Sequence, residues 1–375
     1  MRATGVRIRT LVVSLFLPHL MSCCQSGSMG GGESGSGEPP QLMDMAFVLE
    51  DSTPPVTTLF SGETPVKLVL AADFDKLDDD RSQESVERPA RVLVRGRDSD
   101  RVEIPLEVNT RGKFRLQRRI CPDPPLRLNF PDSLASGTLF DGHQKFKLVT
   151  HCRRTESFEQ NLLEEFLAYR FYNHLTELSF QVQLAEITYL DTSGKRDPHT
   201  RMAFLIEDDD AFAARVGGIM VESPSTRPDD FTTDQIGLMY LFQFMVGNVD
   251  WGTGASHNMK ILLKDGEYHP VPYDFDWAGL VDAPYAEPNH LTEPFHDSVR
   301  ERVYWGVCLP GIDYADLFRR ANEARDAIMT SIRNVSALSD SNATLAERYM
   351  DEFYATINDE RRASRAIIRA CRRWL

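Results

Sequence analysis

The stretch "HQKFKLVTHCRRTESFEQNLLEEFLAYRFYNHL", residues 143–175, decides the fold class, because its hydrophobic period changes midway. Residues 145–150 alternate basic and apolar side chains, which is typical of a strand. From residue 157 the apolar residues recur every three or four positions, which predicts a helix with one face against a sheet. The stretch therefore predicts a strand followed by a helix that is inserted into the sheet.

Strand patterns surround this helix, and helical patterns follow them. The strand patterns are "VKLVLAADF" (66–74), "ARVLVRG" (90–96), "VEIPLEV" (102–108), "PLRLNF" (125–130), "QVQLAEITYLD" (181–191) and "RMAFLIEDDD" (201–210). We therefore predict an α+β chain with a mainly antiparallel, β-rich N-lobe at 42–210 that contains one inserted helix, and a mainly helical C-lobe at 211–375.

The N-terminal segment reads as a secretion signal over residues 1–22, with a basic start and a short apolar run. That run is too short to span a bilayer. Leu20 and Ser22 ahead of Cys23 resemble a bacterial lipobox, which implies that Cys23 is lipidated; an ordinary cleaved signal is the alternative. Residues 23–41 are rich in glycine and serine and predict a flexible tether. We expect an extracytoplasmic lipoprotein anchored to a membrane.

Charge and cysteine content narrow the function classes. The net charge of −14 argues against nucleic acid as a partner. Outside the cytoplasm, an even number of cysteines without CxxC spacing favours disulfides over a metal site. Pairing of strands 125–130 and 145–150 would bring Cys121 and Cys152 to the same end, so we predict that bridge. Cys308 and Cys371 are the remaining pair.

Two acid-bearing loops flank a predicted hairpin at 259–277, whose turn is formed by residues 264–266. The hairpin would bring Asp250 and Asn258 close to Asp274 and Asp276. Converging oxygen ligands suit a hard cation such as Mg²⁺, and the combination suggests phosphoryl transfer.

The first of these loops, "GNVDWGTGASHNMKI" (247–261), follows a predicted buried helix, "TTDQIGLMYLFQFMVGN" (232–248). We expect Gly252 and Gly254 to let the loop curl. His257 is more often a hydrogen-bonded loop histidine than a metal ligand, so no zinc is assigned to it.

Phosphoryl transfer also needs a cation on the phosphates. Lys145 and Lys147 lie on one face of their strand, and Glu165 lies on the inserted helix. We expect Glu165 to hold one of the two lysines and to aim its ammonium at a nucleotide.

Between about residues 110 and 279 the chain resembles the CotH family of secreted and spore-coat kinases. The motifs that carry the resemblance are "TRGKFR" (110–115), "PPLRLNF" (124–130), "FDGHQKFKLVTHC" (140–152), "FEQNLLEEFLAYRFYNHL" (158–175), "AFLIEDDD" (203–210), "GNVDWGTGASHN" (247–258) and "PYDFDWAG" (272–279). The resemblance implies a two-lobed, atypical protein-kinase-like fold.

The resemblance also implies roles for individual residues. Asp250 would be the catalytic-loop aspartate that orients the acceptor hydroxyl, and Asn258 the metal-binding amide of that loop. Asp274 would hold the metal ions, with Asp276 as second candidate. The resemblance assigns no residue to cover the phosphates; Arg111 is the candidate, because "TRGKFR" is the only basic, glycine-bearing turn placed to do so.

The chain departs from ordinary protein kinases at three points. Eight positions separate Asp250 from Asn258, a longer interval than in the HRDxxxxN pattern; "DFD" replaces DFG; and no GxGxxG loop precedes the lysines. These departures leave the binding mode of the nucleotide open.

The sequence therefore predicts an extracytoplasmic kinase that transfers the γ-phosphoryl group of ATP to a hydroxyl acceptor, such as an envelope protein, with Mg²⁺ or Mn²⁺. Nucleotide is scarce outside the cytoplasm, so a catalytically inactive envelope module that binds a partner is one alternative. Nucleotidyl (AMP) transfer on the same fold is another.

Overall fold

The computed structural model describes residues 42, 49, 59–60, 62–82, 84–95, 101–131, 134–222, 226–288 and 297–373, which belong to one compact unit. The predicted signal (1–22), the tether (23–41) and the lipidation site Cys23 lie outside the described residues.

Ten strands and seven α-helices are present in these ranges. The strands are β1 (Val66–Ala72), β2 (Arg88–Arg95), β3 (Arg101–Thr110), β4 (Leu126–Asn129), β5 (Lys145–Val149), β6 (Val182–Asp191), β7 (His199–Glu207), β8 (Ile219–Val221), β9 (Met259–Lys264) and β10 (Glu267–Pro272). The helices are α1 (Phe74–Asp79), α2 (Glu156–Leu175), α3 (Asp209–Val216), α4 (Thr233–Val246), α5 (Tyr314–Asn334), α6 (Asp340–Ile357) and α7 (Glu360–Ala363).

The first seven strands form a closed barrel in the order β1-β2-β3-β4-β5-β7-β6. Most neighbours pair antiparallel, but β1 and β6 pair parallel, with Leu68 opposite Ile187. This parallel pair closes the barrel and leaves no strand edge in it unpaired.

The interior of the barrel is filled by every second side chain of a strand such as β3. In β3, Ile104, Leu106 and Val108 are buried, whereas Glu103 and Glu107 face solvent. This period of two is the strand pattern of a sheet with one buried face. Apolar residues from the other barrel strands pack against the same core.

The predicted two-lobed, kinase-like fold is wrong. The β-rich part is a closed, mixed, seven-stranded barrel rather than a mainly antiparallel lobe, and the part after residue 210 is not simply helical, since it contains the sheet β10-β9-β8. The error has a physical cause: period and composition reveal strands, but they do not reveal that β1 pairs with β6, more than a hundred residues later in the chain.

Helix α2 connects β5 to β6, as the change of period predicts. It packs against β7 and α5. Twelve of its 20 residues are buried, which is more than one helical face needs and places α2 inside the molecule. Its polar residues Glu164 and Glu165 are therefore buried as well and require partners.

Helix α4 is apolar on all sides, and it ends at Gly247, whose φ of 68° is left-handed. The predicted hairpin of β9 and β10 follows, with its turn at Asp265 and Gly266. Beyond it, α5 and α6 pack against one another. No helix within the described ranges is both long and apolar enough to cross a membrane.

The predicted Cys121–Cys152 disulfide is present, and the remaining two cysteines of the described residues also pair. Cys121 pairs with Cys152, with their Cα atoms 4.5 Å apart, and Cys308 pairs with Cys371, with a separation of 5.0 Å. The first bridge joins the segment before β4 to the segment after β5, as their antiparallel pairing predicts. Two disulfides indicate an oxidising, extracytoplasmic environment.

Candidate functional site

The hairpin brings the two acid-bearing loops together at its open end. Met259 pairs with Pro272, and the Tyr273 amide donates a 3.1 Å hydrogen bond to the Asn258 carbonyl. Asn258 and Asp274 therefore lie on adjacent strand ends, as predicted. Both have left-handed backbones, with φ of 49° and 63°, a conformation that asparagine and aspartate adopt more readily than most residues.

The Asp250 carboxylate is held by two neighbours from its own loop. Its Oδ1 is 3.0 Å from Nε2 of His257, and its Oδ2 accepts a 2.9 Å hydrogen bond from Nδ2 of Asn258. The hydrogen bond to Asp250 raises the pKa of His257. His257 is thus a hydrogen-bonded loop histidine, as expected, and its partner is Asp250.

The expected role of the loop glycines is wrong. Neither Gly252 nor Gly254 has a positive φ; the left-handed residues of the loop are Ser256 and Asn258. Gly252 instead exchanges two backbone hydrogen bonds of 3.0 and 2.9 Å with His257. This pairing closes the loop and places His257 next to Asp250.

Arg115 is the central cation of the site. Its guanidinium donates to both carboxylate oxygens of Glu165, at 3.0 and 3.2 Å, and to Oδ1 of Asp274 at 2.7 Å. Its Nε is 3.4 Å from Asp276. Arg115 follows β3 in the motif "TRGKFR", whose basic character was the only sequence signal for it.

Two tyrosines complete the surroundings of these acids. The hydroxyl of Tyr169 accepts a 2.8 Å hydrogen bond from the Asp274 amide, and the hydroxyl of Tyr285 donates a 2.9 Å bond to Asp276. Burial, reinforced by the nearby charges of Asp274 and Glu165, raises the pKa of Asp276 to about 8 although Arg115 opposes the shift. The side chain of Asp274 is 35% exposed, against 7% for Asp276, so Asp274 is the carboxylate available to a ligand.

The expected lysine–glutamate pair does not form. Lys145 is exposed at the start of β5. Lys147 is buried and forms its ion pair with Asp209, the first residue of α3, which also lies 3.1 Å from Nζ of Lys260. Glu165 is held by Arg115 instead. The strand period puts both lysines on one face but does not predict that only Lys147 is buried, nor does it identify its partner.

Arg111 lies among these groups, and its guanidinium makes no hydrogen bond or close ion pair in the part of the chain that the structure describes. Its amide donates to the carbonyl of Pro125 at 3.0 Å. Its guanidinium interacts electrostatically with Asp274 and repels Arg115, and burial lowers its pKa. Burial lowers the pKa of Lys147, and the positive charge of Arg111 lowers it further. A partly buried guanidinium without a hydrogen-bonded anion is a candidate anion-binding group.

A cleft of about 440 Å³ adjoins the β9–β10 hairpin and the loop that carries Asp250. It is lined by Lys260 and Tyr273 from the hairpin, by Ser256 from the Asp250 loop, and by Glu222. The cleft therefore lies between the hairpin and the Asp250 loop, and Lys260, which lines it, is an ion partner of Asp209.

The donors fit a hard cation. Three carboxyl groups, those of Glu165, Asp274 and Asp276, surround the single guanidinium of Arg115. The oxygen-only donor set is the one that Mg²⁺ and Mn²⁺ prefer.

Searches against protein-family models and curated proteins gave no match for this chain. The resemblance to the CotH family therefore stays a prediction, and the function has to be argued from the geometry of the site.

Proposed function

We propose that this protein transfers a phosphoryl group from a nucleotide such as ATP to a hydroxyl acceptor, with Mg²⁺ or Mn²⁺ bound at Asp274. One observation carries the proposal: the guanidinium of Arg111, which makes no hydrogen bond within the described residues, interacts with the partly exposed carboxylate of Asp274, a group that is suited to a metal. A phosphate group would satisfy both, since its oxygens accept from Arg111 and bind the metal.

Each residue has a distinct role in this proposal. Asp274 holds the cation, and the Oδ1 atom of Asn258, whose amide nitrogen is bonded to Asp250, is the second oxygen donor. Mg²⁺ or Mn²⁺, when bound, neutralises the charge that develops on the phosphate oxygens. Arg111 and Lys147 bind the phosphates that are not transferred.

Asp250 is positioned to act on the acceptor. In the reaction, the acceptor oxygen forms a bond to the γ-phosphorus, the bond to the β-phosphate oxygen breaks, and the nucleoside diphosphate leaves. Asp250 orients the attacking hydroxyl and accepts its proton. His257 and Asn258 fix the carboxylate in one orientation by binding one oxygen each.

Arg115 is a positioning residue. It is buried, and all of its charged contacts are with protein carboxylates. Because it binds Glu165 on α2 and Asp274 after β10 at the same time, it fixes the metal-binding loop relative to the barrel. The proposal depends on these contacts, not on a kinase-like fold.

The test is to incubate the purified protein, disulfides intact, with Mn²⁺ and ATP labelled at either the γ- or the α-phosphate. Transfer of γ-label that is lost in Asp274→Asn and kept in Asp210→Asn, an exposed aspartate on α3, would support the proposal. Incorporation of α-label would instead establish nucleotidyl transfer. Absence of nucleotide binding by calorimetry would overturn both and favour a non-catalytic binding module.

Arg111 provides a second test that does not require the acceptor. Arg111→Met should weaken ATP binding about tenfold or more, as expected for a lost charge-assisted contact. Arg119→Met, at an exposed arginine whose side chain bonds Gln117, is the matched control. Equal affinities in the two variants would remove Arg111 from the site.

We also propose that lipidation of Cys23 anchors the protein to a membrane. The lipobox-like residues before Cys23 support this, and the two disulfides are consistent with an extracytoplasmic location. Metabolic labelling with a radioactive fatty acid should mark the wild type and not Cys23→Ala; equal labelling of both would exclude Cys23.

A further inference from the structure

A second group of potential metal ligands lies at one end of the barrel. Asp123 precedes β4, His151 follows β5, and His199 begins β7. Because β4 pairs with β5 and β5 pairs with β7, the three residues meet at the same end. Asp123 also pairs with Cys152, its amide donating a 3.0 Å hydrogen bond to the Cys152 carbonyl, so the Cys121–Cys152 disulfide holds this end together.

The ligand atoms of these residues converge. One nitrogen from each histidine and one oxygen of Asp123 all lie within 4.8 Å of one another. Nε2 of His151 is 3.3 Å from Oδ2 of Asp123. Ligand atoms around a tetrahedral zinc ion are about 3.4 Å apart, given metal–ligand bonds of about 2.0–2.1 Å. Small side-chain rotations would therefore complete the site.

Several buried polar atoms in this group lack hydrogen bonds within the described residues. His151 is only 1% exposed, yet neither of its ring nitrogens makes a hydrogen bond within the described residues. Nε2 of His199 and the hydroxyl of Tyr189 are also buried without a partner there. A buried polar group without a partner costs about 1–3 kcal/mol, and a metal ion would satisfy one nitrogen of each imidazole.

His199 already has the contact that prepares a histidine for metal binding. Its Nδ1 is 3.4 Å from the carbonyl of Asp197. When Nδ1–H donates to that carbonyl, the lone pair is on Nε2, the atom that has no partner. This is the arrangement of a metal-binding histidine whose other nitrogen is fixed by the backbone.

The group lines a small cavity. The cavity has a volume of about 30 Å³ and is lined by all three residues together with Tyr189. This is more than the roughly 10–15 Å³ that one water molecule requires, so an ion and one further ligand would fit. Arg154, 41% exposed and 3.3 Å from Asp123, would have to turn toward solvent.

We propose that Asp123, His151 and His199 bind one divalent transition-metal ion, and that Zn²⁺ fits best. Two imidazole nitrogens and one carboxylate suit zinc, whereas Mg²⁺ and Ca²⁺ prefer oxygen ligands. Three protein ligands leave a fourth position for water. The site is separate from the Asp274 centre, shares no residue with it, and stands whether or not the protein transfers phosphoryl groups.

The experiment uses the full chain without a histidine tag, stripped with a chelator that leaves the disulfides intact. Zn²⁺ is titrated by calorimetry and Co²⁺ by its visible absorption, whose intensity reports tetrahedral geometry. The wild type should bind one ion, and His151→Ala and His199→Ala should each weaken binding at least about 100-fold. His269→Ala, on β10, should bind as the wild type does.

Folding is checked in the same samples. Zn²⁺ should raise the Tm of the wild type and of His269→Ala, but not that of His199→Ala. His199 is only partly buried, so this variant keeps the test decisive if His151→Ala fails to fold. Absence of stoichiometric binding by the wild type, or undiminished affinity in His199→Ala, would overturn the proposal.

Discussion

Nη2 of Arg115 lies 2.7 Å from Oδ1 of Asp274, although 159 residues separate the two in the chain. The same guanidinium binds Glu165 in bidentate geometry. An arginine thus occupies the place for which a lysine was predicted. Its planar fork can bind two carboxylates at once, which a lysine ammonium cannot do with the same geometry.

We predict that Arg115→Met lowers the free energy of unfolding by about 3–5 kcal/mol, because it leaves the buried carboxylates of Glu165 and Asp276 without their cation. Guanidinium chloride denaturation measures this loss. The double variant Arg115→Met/Glu165→Gln should recover part of it, and Arg118→Met, at an exposed position, should change stability by less than about 0.5 kcal/mol. A loss below 1 kcal/mol in Arg115→Met would show that the acids find other partners.

The contact between Asp250 and His257 predicts that a substitution of Asp250 changes the pKa of His257. Asp250→Asn should lower the pKa of His257 toward its ordinary value, because the carboxylate is the main cause of the upward shift. NMR titration of the imidazole protons measures it, and the pKa of His174, which burial lowers, should stay unchanged as an internal reference.

The same variant should lower the turnover of the proposed reaction about 10²- to 10⁴-fold. Loss of the two contacts to the carboxylate should change stability by only about 1 kcal/mol. Unfolding of Asp250→Asn would instead assign Asp250 a structural role in the loop.

Glu164 predicts how stability depends on pH. Burial raises its pKa from about 4.5 to about 7, although Asn342 and Asn161 donate hydrogen bonds to it. The folded state holds the proton of Glu164 more tightly than the unfolded state does. The resulting contribution to the free energy of unfolding is therefore fully present below pH 4.5 and is lost as pH rises through 7. The loss is about 3 kcal/mol. In Glu164→Gln, the unfolding free energy measured between pH 4.5 and 8 should lack this decline; an identical slope in both proteins would contradict the assignment.

The sequence predicted those parts of the fold that depend on local pattern. The strands, α2 and the β9–β10 hairpin follow from hydrophobic period and turn residues, and the Cys121–Cys152 bridge follows from the pairing of β4 with β5. Barrel closure was missed because the parallel pairing of β1 with β6 is a long-range contact without a local signal.

In the candidate site, too, the contacts between residues close in the chain were predicted and the long-range contacts were not. Asn258 and Asp274 were correctly placed together because the hairpin joins them directly. Arg115 was missed as the partner of Glu165, since a strand period shows which side chains point inward but not which charges meet. Asp123, His151 and His199 were missed because three separate elements carry them. A signal existed: His151 is adjacent to Cys152, and Asp123 lies two residues after Cys121, so the predicted bridge implied their proximity.

Two glycines provide the last prediction. Gly217 and Gly247 follow the last turns of α3 and α4 with nearly the same left-handed φ, 72° and 68°. A Cβ atom on Gly217 would meet nothing within 4 Å, whereas one on Gly247 would overlap the hydroxyl of Tyr349 and touch the backbone of Gly279. Gly217→Ala should therefore lower the free energy of unfolding only by the strain of a left-handed alanine, about 1–2 kcal/mol. Gly247→Ala should lower it by at least about 2 kcal/mol more, because the new Cβ atom has no room. Denaturant unfolding measures both losses.

The consequence of the Gly247 substitution extends to the site. The carbonyl of Gly247 accepts a 3.0 Å hydrogen bond from the Gly279 amide, which ties the end of α4, and so the Asp250 loop, to the segment that carries Asp274. We therefore expect Gly247→Ala to weaken nucleotide binding in the fraction that stays folded, while Gly217→Ala leaves it intact. Equal effects of the two substitutions on stability and binding would show that the close contact with Gly279 does not hold the two acidic loops together.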